Sequence, residues 1–102
     1  MGKMALKEIK IELPGDLGDI ASSKEIITML LDKALSKAEY FGSRCRAFEE
    51  KYGMDVVFFK KRVEETNDEV FTEWDDLVVW EGYELGYEEW KKKYEELKRC
   101  ME

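Results

Sequence analysis

Between Ile27 and Tyr52, apolar residues recur at alternating spacings of four and three: Ile27, Leu31, Ala34, Ala38, Phe41, Cys45, Phe48 and Tyr52. A period near 3.6 held over about seven turns puts all eight side chains on one stripe of an α-helix. That helix is the frame around which everything else must pack. Ser22 with Glu25 three residues on makes a capping box at its start. Gly53 directly after Tyr52 suits a left-handed cap that ends it, with Met54 folding back onto the stripe. Gly42 interrupts the stripe and is expected to loosen the helix locally.

The remaining segments follow from the same patterns. Asp55 caps a shorter helix, VVFFKKRVEE, whose Val56, Phe59 and Val63 form an apolar face. Glu64 to Asp68 reads as a hinge, and two capping boxes, Thr66 with Glu69 and Thr72 with Asp75, compete as the start of a last helix. Along that helix Trp80, Tyr83, Tyr87, Trp90, Tyr94, Leu97 and Met101 keep spacings of three and four, an aromatic rather than aliphatic seam. Lysines 91–93, Lys98 and Arg99 gather towards its C-terminal end, where they suit the helix dipole.

Before the first helix, Ile9, Ile11 and Leu13 alternate with Glu8, Lys10 and Glu12 up to Pro14-Gly15, which predicts a β-strand. No second segment reads as a strand. The strand is therefore expected to pair with its counterpart in a second copy through Ile9, Ile11 and Leu13, or to lie as an arm on its own helices. The expected fold is mainly α, a single domain over residues 1–102, with one N-terminal β-strand followed by three helices and the strand paired in a homodimer. Within it, residues 1–62 form a strand-helix-helix part and residues 63–102 an acidic, aromatic helix.

Charge divides along the same line. Residues 1–62 carry 12 basic and 10 acidic side chains, and residues 63–102 carry 5 and 14, within a net charge of −7. An acidic chain does not bind nucleic acid over its whole surface, and only the first half offers cations for it. Abundant Lys and Glu with no Gln, no His and one Asn match the bias of hyperthermophile proteins. No apolar run reaches signal-peptide length or the ~18 residues of a membrane span, so a cytoplasmic location is expected. Cys45 and Cys100 lack CxxC spacing and histidine company, which leaves zinc without its usual ligands. They are expected as thiols, a bridge between them being left open by the sequence.

Function has to be sought in FTEWDDLVVWEGYELGYEEW, Phe71 to Trp90, which holds all three tryptophans and seven carboxylates without one basic residue. The seam demands cover on one face, and Phe71, Trp74, Leu77 and Val78 demand it on another. Two apolar faces among so many carboxylates predict an external, cationic protein partner, with Phe71, Trp74, Asp75, Asp76, Trp80, Tyr83, Tyr87 and Trp90 as its binding residues. Gly82 and Gly86, four apart inside the helix, suggest that another backbone comes close.

Two rival readings remain. Glu64, Glu65 and Asp68 with Glu73 and Asp76 resemble the paired acidic motifs of all-helical, metal-dependent nucleotide pyrophosphohydrolases. Only four residues separate Asp68 from Glu73, however, whereas that family sets its motifs on two facing helices. Alternatively, the seam joins identical copies into a helical oligomer. Nucleic-acid contacts would fall on Lys3, Lys7 and Lys10, helped by Lys24, Arg44 and Arg46, in a pattern that resembles ribbon-helix-helix repressors. Glu8 and Glu12 share the outward face with Lys10 and would repel phosphates. No histidine base, no serine triad context around Ser22, Ser23, Ser36 or Ser43 and no phosphate loop occur, so neither catalysis nor a metal or other cofactor is expected.

Residues FEEKYGMDVVFFKKRVEE followed by FTEWDDLVVWEGYE resemble small antitoxins of prokaryotic toxin–antitoxin pairs, found largely in archaea and cyanobacteria. The likeness covers Phe48 to Tyr87 best and IKIELP more loosely. It implies a protein without enzymatic activity that sequesters a basic, RNA-cleaving toxin encoded beside it and represses their shared promoter. The glycine-bearing aromatic helix up to Glu102 departs from the pattern and leaves the toxin class open.

Overall fold

Local capping chemistry sets the helix ends. The structure, a computed structural model, describes residues 22–66 and 71–101. Ser22 is extended and its hydroxyl accepts the Glu25 N–H at 3.2 Å, opening helix α1, Ser23–Tyr52. The helix closes at Gly53, which adopts φ 66° in the left-handed region and donates its N–H to the Glu49 carbonyl at 2.7 Å. Asp55 then accepts the Phe58 N–H at 2.9 Å and starts α2, Val56–Glu65.

Thr66 ends α2 rather than opening the next helix. Its hydroxyl and its N–H both donate to the Arg62 carbonyl, at 2.6 and 3.1 Å. The last helix, α3, Phe71–Met101, already contains Thr72, so Thr72 is no N-cap either; Glu69 lies outside the described residues.

The helices α1 and α3 run antiparallel, Tyr52 meeting Asp76 at one end and Leu35 sharing a groove with Tyr94 at the other. Helix α2 folds across the Tyr52 end. There Cys45, Phe59, Val63, Leu77 and Trp80 form the buried core, ringed by Phe48, Tyr52, Met54, Val56 and Tyr83. Trp80 and Phe59 have no exposed surface, and burying two large rings contributes more than any other pair in a core this small. Farther from α2 the packing changes to small against large. Ala34, Ala38 and Gly42 are buried on α1, and Tyr87 and Tyr94 of α3 line the groove beside Ala38 and Gly42. Gly42 does not loosen the helix as expected: it receives the Tyr87 ring, 3.3 Å from where a Cβ would stand.

The fold class needs correction. Among the described residues there are three helices and no strand, and their apolar stripes bury one another without one. The strand expected from Ile9, Ile11 and Leu13 lies outside the described residues, and the mainly α part of the expectation stands.

Candidate functional site

The aromatic seam, expected to need an outside partner, is largely covered by the chain's own first helix. Trp80 stacks on Phe48 at 5.4 Å between ring centroids and on Tyr52 at 6.2 Å, with Phe59 at 5.3 Å. Tyr83 lies among Tyr40, Phe41 and Phe48, between 6.1 and 6.4 Å from each. Tyr87 sits against Gly42, and Gly86 lets the Phe41 ring approach to 2.9 Å of a would-be Cβ. Trp80 is thus a core residue with no exposed surface, while Tyr83 and Tyr87 join α3 to α1. The close backbone approach foreseen for Gly82 and Gly86 is met at neither among the described residues: Gly82 has nothing within 4 Å of a would-be Cβ, and what approaches Gly86 is the Phe41 side chain of the same protein.

The carboxylates are likewise partly engaged at home. Asp76 accepts from Lys51 Nζ at 2.7 Å and from the Tyr52 hydroxyl. Glu73 pairs with Arg62 at 3.0 Å, and Glu81 with Lys60 at 3.3 Å. Both pairs tie α2 to α3 beside its core face, while within α2 Arg62 lies 5.2 Å from the Phe59 ring centroid. Asp76 is therefore a structural residue, not part of an open anionic rim. The Lys51 ammonium and the Tyr52 hydroxyl hold its carboxyl below the usual range.

A depressed carboxylate pKa stabilises the folded state at pH values above its ordinary ~4, and that contribution disappears as pH falls through the lowered folded value. Asp76→Asn removes the charge but keeps an acceptor for the Tyr52 hydroxyl, and is accordingly expected to cost no more than about 1 kcal/mol at neutral pH, since Lys51 is largely exposed and its ion pair is screened. Urea denaturation of wild type and variant should show that gap at pH 7 and its narrowing towards pH 2.

What remains open is the outer side of α3. Phe71 is 75% exposed, Val78 66% and Leu85 72%, with Trp74 at 37% beside them. These four fall on steps of three, four and seven, an a/d row on the side away from Trp80. Leu77, expected on this face, is instead buried in the core. Exposed Asp75 and Glu88 flank the row, with no ion pair to either among the described residues. Glu81 and Glu89 add to the border, each paired at one oxygen. Beyond Leu85 the same side of the helix turns to Lys92 and Arg99, which bounds the acidic stretch. Trp90 is half-buried with Lys93 4.4 Å from its ring centroid, outside this row.

Leu85 is not among the residues expected on this face, although it lies seven residues after Val78 and so continues the spacing. Val57 and Phe58 on α2 are also exposed, at 71% and 65%. Compared with protein-family models, curated proteins and solved structures, the chain matches none.

Other chemistry finds little support. Among the described residues no three histidine, cysteine or carboxylate side chains converge as a metal site. Of the acidic set that suggested one, Glu73 and Asp76 are bound to the protein's own cations, Glu64 and Glu65 are exposed, and Asp68 lies outside the described residues. Burial and the neighbouring Glu84 push the Cys45 thiol up to about 12, far from a reactive thiolate. Cys45 and the exposed Cys100 are both free. Lys24 and Arg44 are separated by about 30 Å of helix, so with Arg46 they form no single cationic patch; Lys3, Lys7 and Lys10 lie outside the described residues. No described helix is long and apolar enough to cross a membrane.

Proposed function

We propose that this chain is a cytoplasmic binding protein without enzymatic activity whose α3 presents the Phe71, Trp74, Val78 and Leu85 row to a cationic protein. The observation that carries the reading is that three large apolar side chains on one side of a helix stay two-thirds or more exposed among carboxylates. Rows of that kind on an otherwise charged surface mark protein interfaces, and the anionic border favours a positively charged partner and speeds its approach. Trp74 is the natural anchor, since tryptophan dominates interface energetics when its partial exposure is removed on binding. The resemblance to antitoxins makes an RNA-cleaving toxin encoded next to this chain the expected partner, neutralised by being held in a complex.

Co-expression with the protein encoded by the adjacent gene tests the reading. A soluble complex is expected, weakened at least tenfold by Val78→Asp while the melting temperature of the free chain stays within a few degrees, and also by Trp74→Ala at a temperature where circular dichroism shows that variant folded. A basic neighbour that forms no complex, or a complex indifferent to both substitutions, contradicts it.

A further inference from the structure

Charge on α1 is segregated by side. From Lys33 to Phe48 the helix carries Lys33, Lys37, Arg44 and Arg46 against a single carboxylate, Glu39. Lys33, Lys37, Tyr40 and Arg44 follow one another at steps of four, three and four, which places them on one side over about 16 Å of helix. All four are exposed. Glu39 is turned away from them, into the groove that it lines with Ala38, Gly42 and Arg46. Lys51, seven residues beyond Arg44, continues the line but is held by Asp76. Lys60 and Arg62 are likewise engaged by α3, whereas Lys33, Lys37 and Arg44 have no ion pair among the described residues.

Tyr40 supplies what a plain row of solvated lysines lacks. Its ring packs edge-on to Phe41 at 5.2 Å and to Tyr83 at 6.4 Å between centroids, yet the residue stays 47% exposed. The Arg44 guanidinium stands 5.5 Å from the same centroid. A ring held in place with an open surface thus lies within a line of three unpaired cations. A phosphodiester strand gives each cation a charge to neutralise, and its unpaired bases give the ring a flat partner. A duplex keeps its bases stacked inside, out of reach of a ring on the flank of a straight helix, and an acidic polypeptide brings carboxylates without bases.

We propose that the Lys33, Lys37, Tyr40 and Arg44 side of α1 is a binding site for single-stranded nucleic acid, with the two lysines and Arg44 on phosphates and one base stacked on Tyr40. The site is short, about four nucleotides, at the lower end of what one such platform covers. On a chain of net charge −7 it binds weakly, and contact with three phosphates gives a slope of about −2 in log affinity against log salt.

The probe is a fluorescein-labelled oligouridylate of roughly twelve nucleotides, titrated with the intact chain by anisotropy from about 50 mM salt upwards. Lys37→Glu with Arg44→Glu is expected to weaken binding at least tenfold and to flatten the salt slope, with the melting temperature within a few degrees because both side chains are exposed. Lys61→Glu with Lys98→Glu makes the same change in net charge off the row and should stay within threefold. Tyr40→Ala, compared at a temperature where circular dichroism shows it folded, should lose severalfold, and polyglutamate or the same strand annealed to oligoadenylate should compete at least tenfold more weakly than free oligouridylate. Absence of binding at the lowest salt, or equal losses in the two double variants, overturns the site. Polyglutamate or duplex competing as well as the single strand, or a folded Tyr40→Ala that binds like wild type, makes this a general anion surface and overturns the proposal too.

Discussion

Trp80→Ala is expected to lower folding stability by about 3–5 kcal/mol, the largest effect of any single side chain in this protein. Trp80 has no exposed surface and is sandwiched by rings from both other helices: Phe48 and Tyr52 of α1 and Phe59 of α2. Truncation removes a group that contacts both other helices at once. Against a typical domain stability of about 5–15 kcal/mol, the loss leaves the variant marginal or unfolded. Equilibrium denaturation followed by circular dichroism measures it. Trp80→Phe should lose well under half as much, because a ring stays in the stack and the indole N–H, which has no hydrogen-bond partner among the described residues, is removed. Loss of partner binding in Trp80→Ala would thus report unfolding, whereas Val78→Asp changes a side chain that is 66% exposed in the folded chain.

The two glycines of α3 give opposite signs for the same substitution. At Gly86 a Cβ would stand 2.9 Å from Phe41 Cδ1 and 3.0 Å from two further atoms of that ring, closer than such atoms approach. Phe41 cannot swing away freely, since it packs edge-on to Tyr40 at 5.2 Å and against Tyr83 at 6.1 Å. Gly86→Ala therefore has to push α1 and α3 apart, an overpacking cost of about 1–3 kcal/mol that outweighs the helix-propensity gain of about 1 kcal/mol. At Gly82 there is no such neighbour, so Gly82→Ala should keep the whole gain and stabilise the free chain by up to about 1 kcal/mol. Thermal or urea unfolding of the two variants side by side checks both; a stabilised Gly86→Ala would mean that the α1–α3 contact is looser than the structure has it.

Much of this architecture is legible from local pattern. The stripe from Ile27 to Tyr52 appears in the structure with Ala34, Ala38 and Cys45 buried and the others half-buried. Ser22, Gly53 and Asp55 act as the caps their residue types suggest, because capping depends only on the backbone within one turn. The seam on α3 was equally readable as a seam, but not whose surface it would meet. Its cover comes from the stripe residues Phe41, Phe48 and Tyr52 and from Phe59, helped by Tyr40 beside the stripe and by the close approach that Gly42 and Gly86 permit, and one-dimensional spacing does not show which stripe meets which.

Charge misled in the same way. Lys51, Lys60 and Arg62 look like surface cations in sequence, yet they neutralise Asp76, Glu81 and Glu73 across the helix contacts. The anionic surface left for a partner is smaller than the composition of residues 63–102 implies. It is concentrated along the outer row of α3, where Phe71, Val78 and Leu85 remain uncovered.

Solvent exposure of that row in the intact chain is the most direct measurement. Methyl NMR with a soluble paramagnetic probe should broaden Val78 and Leu85 strongly and leave the buried Val63 and Leu77 sharp, with Val78 and Leu85 protected once a cationic protein partner is added. Val78 and Leu85 already as sharp as Leu77 in the free, monomeric chain would show that the protein covers this surface itself, and would contradict its role as a docking face.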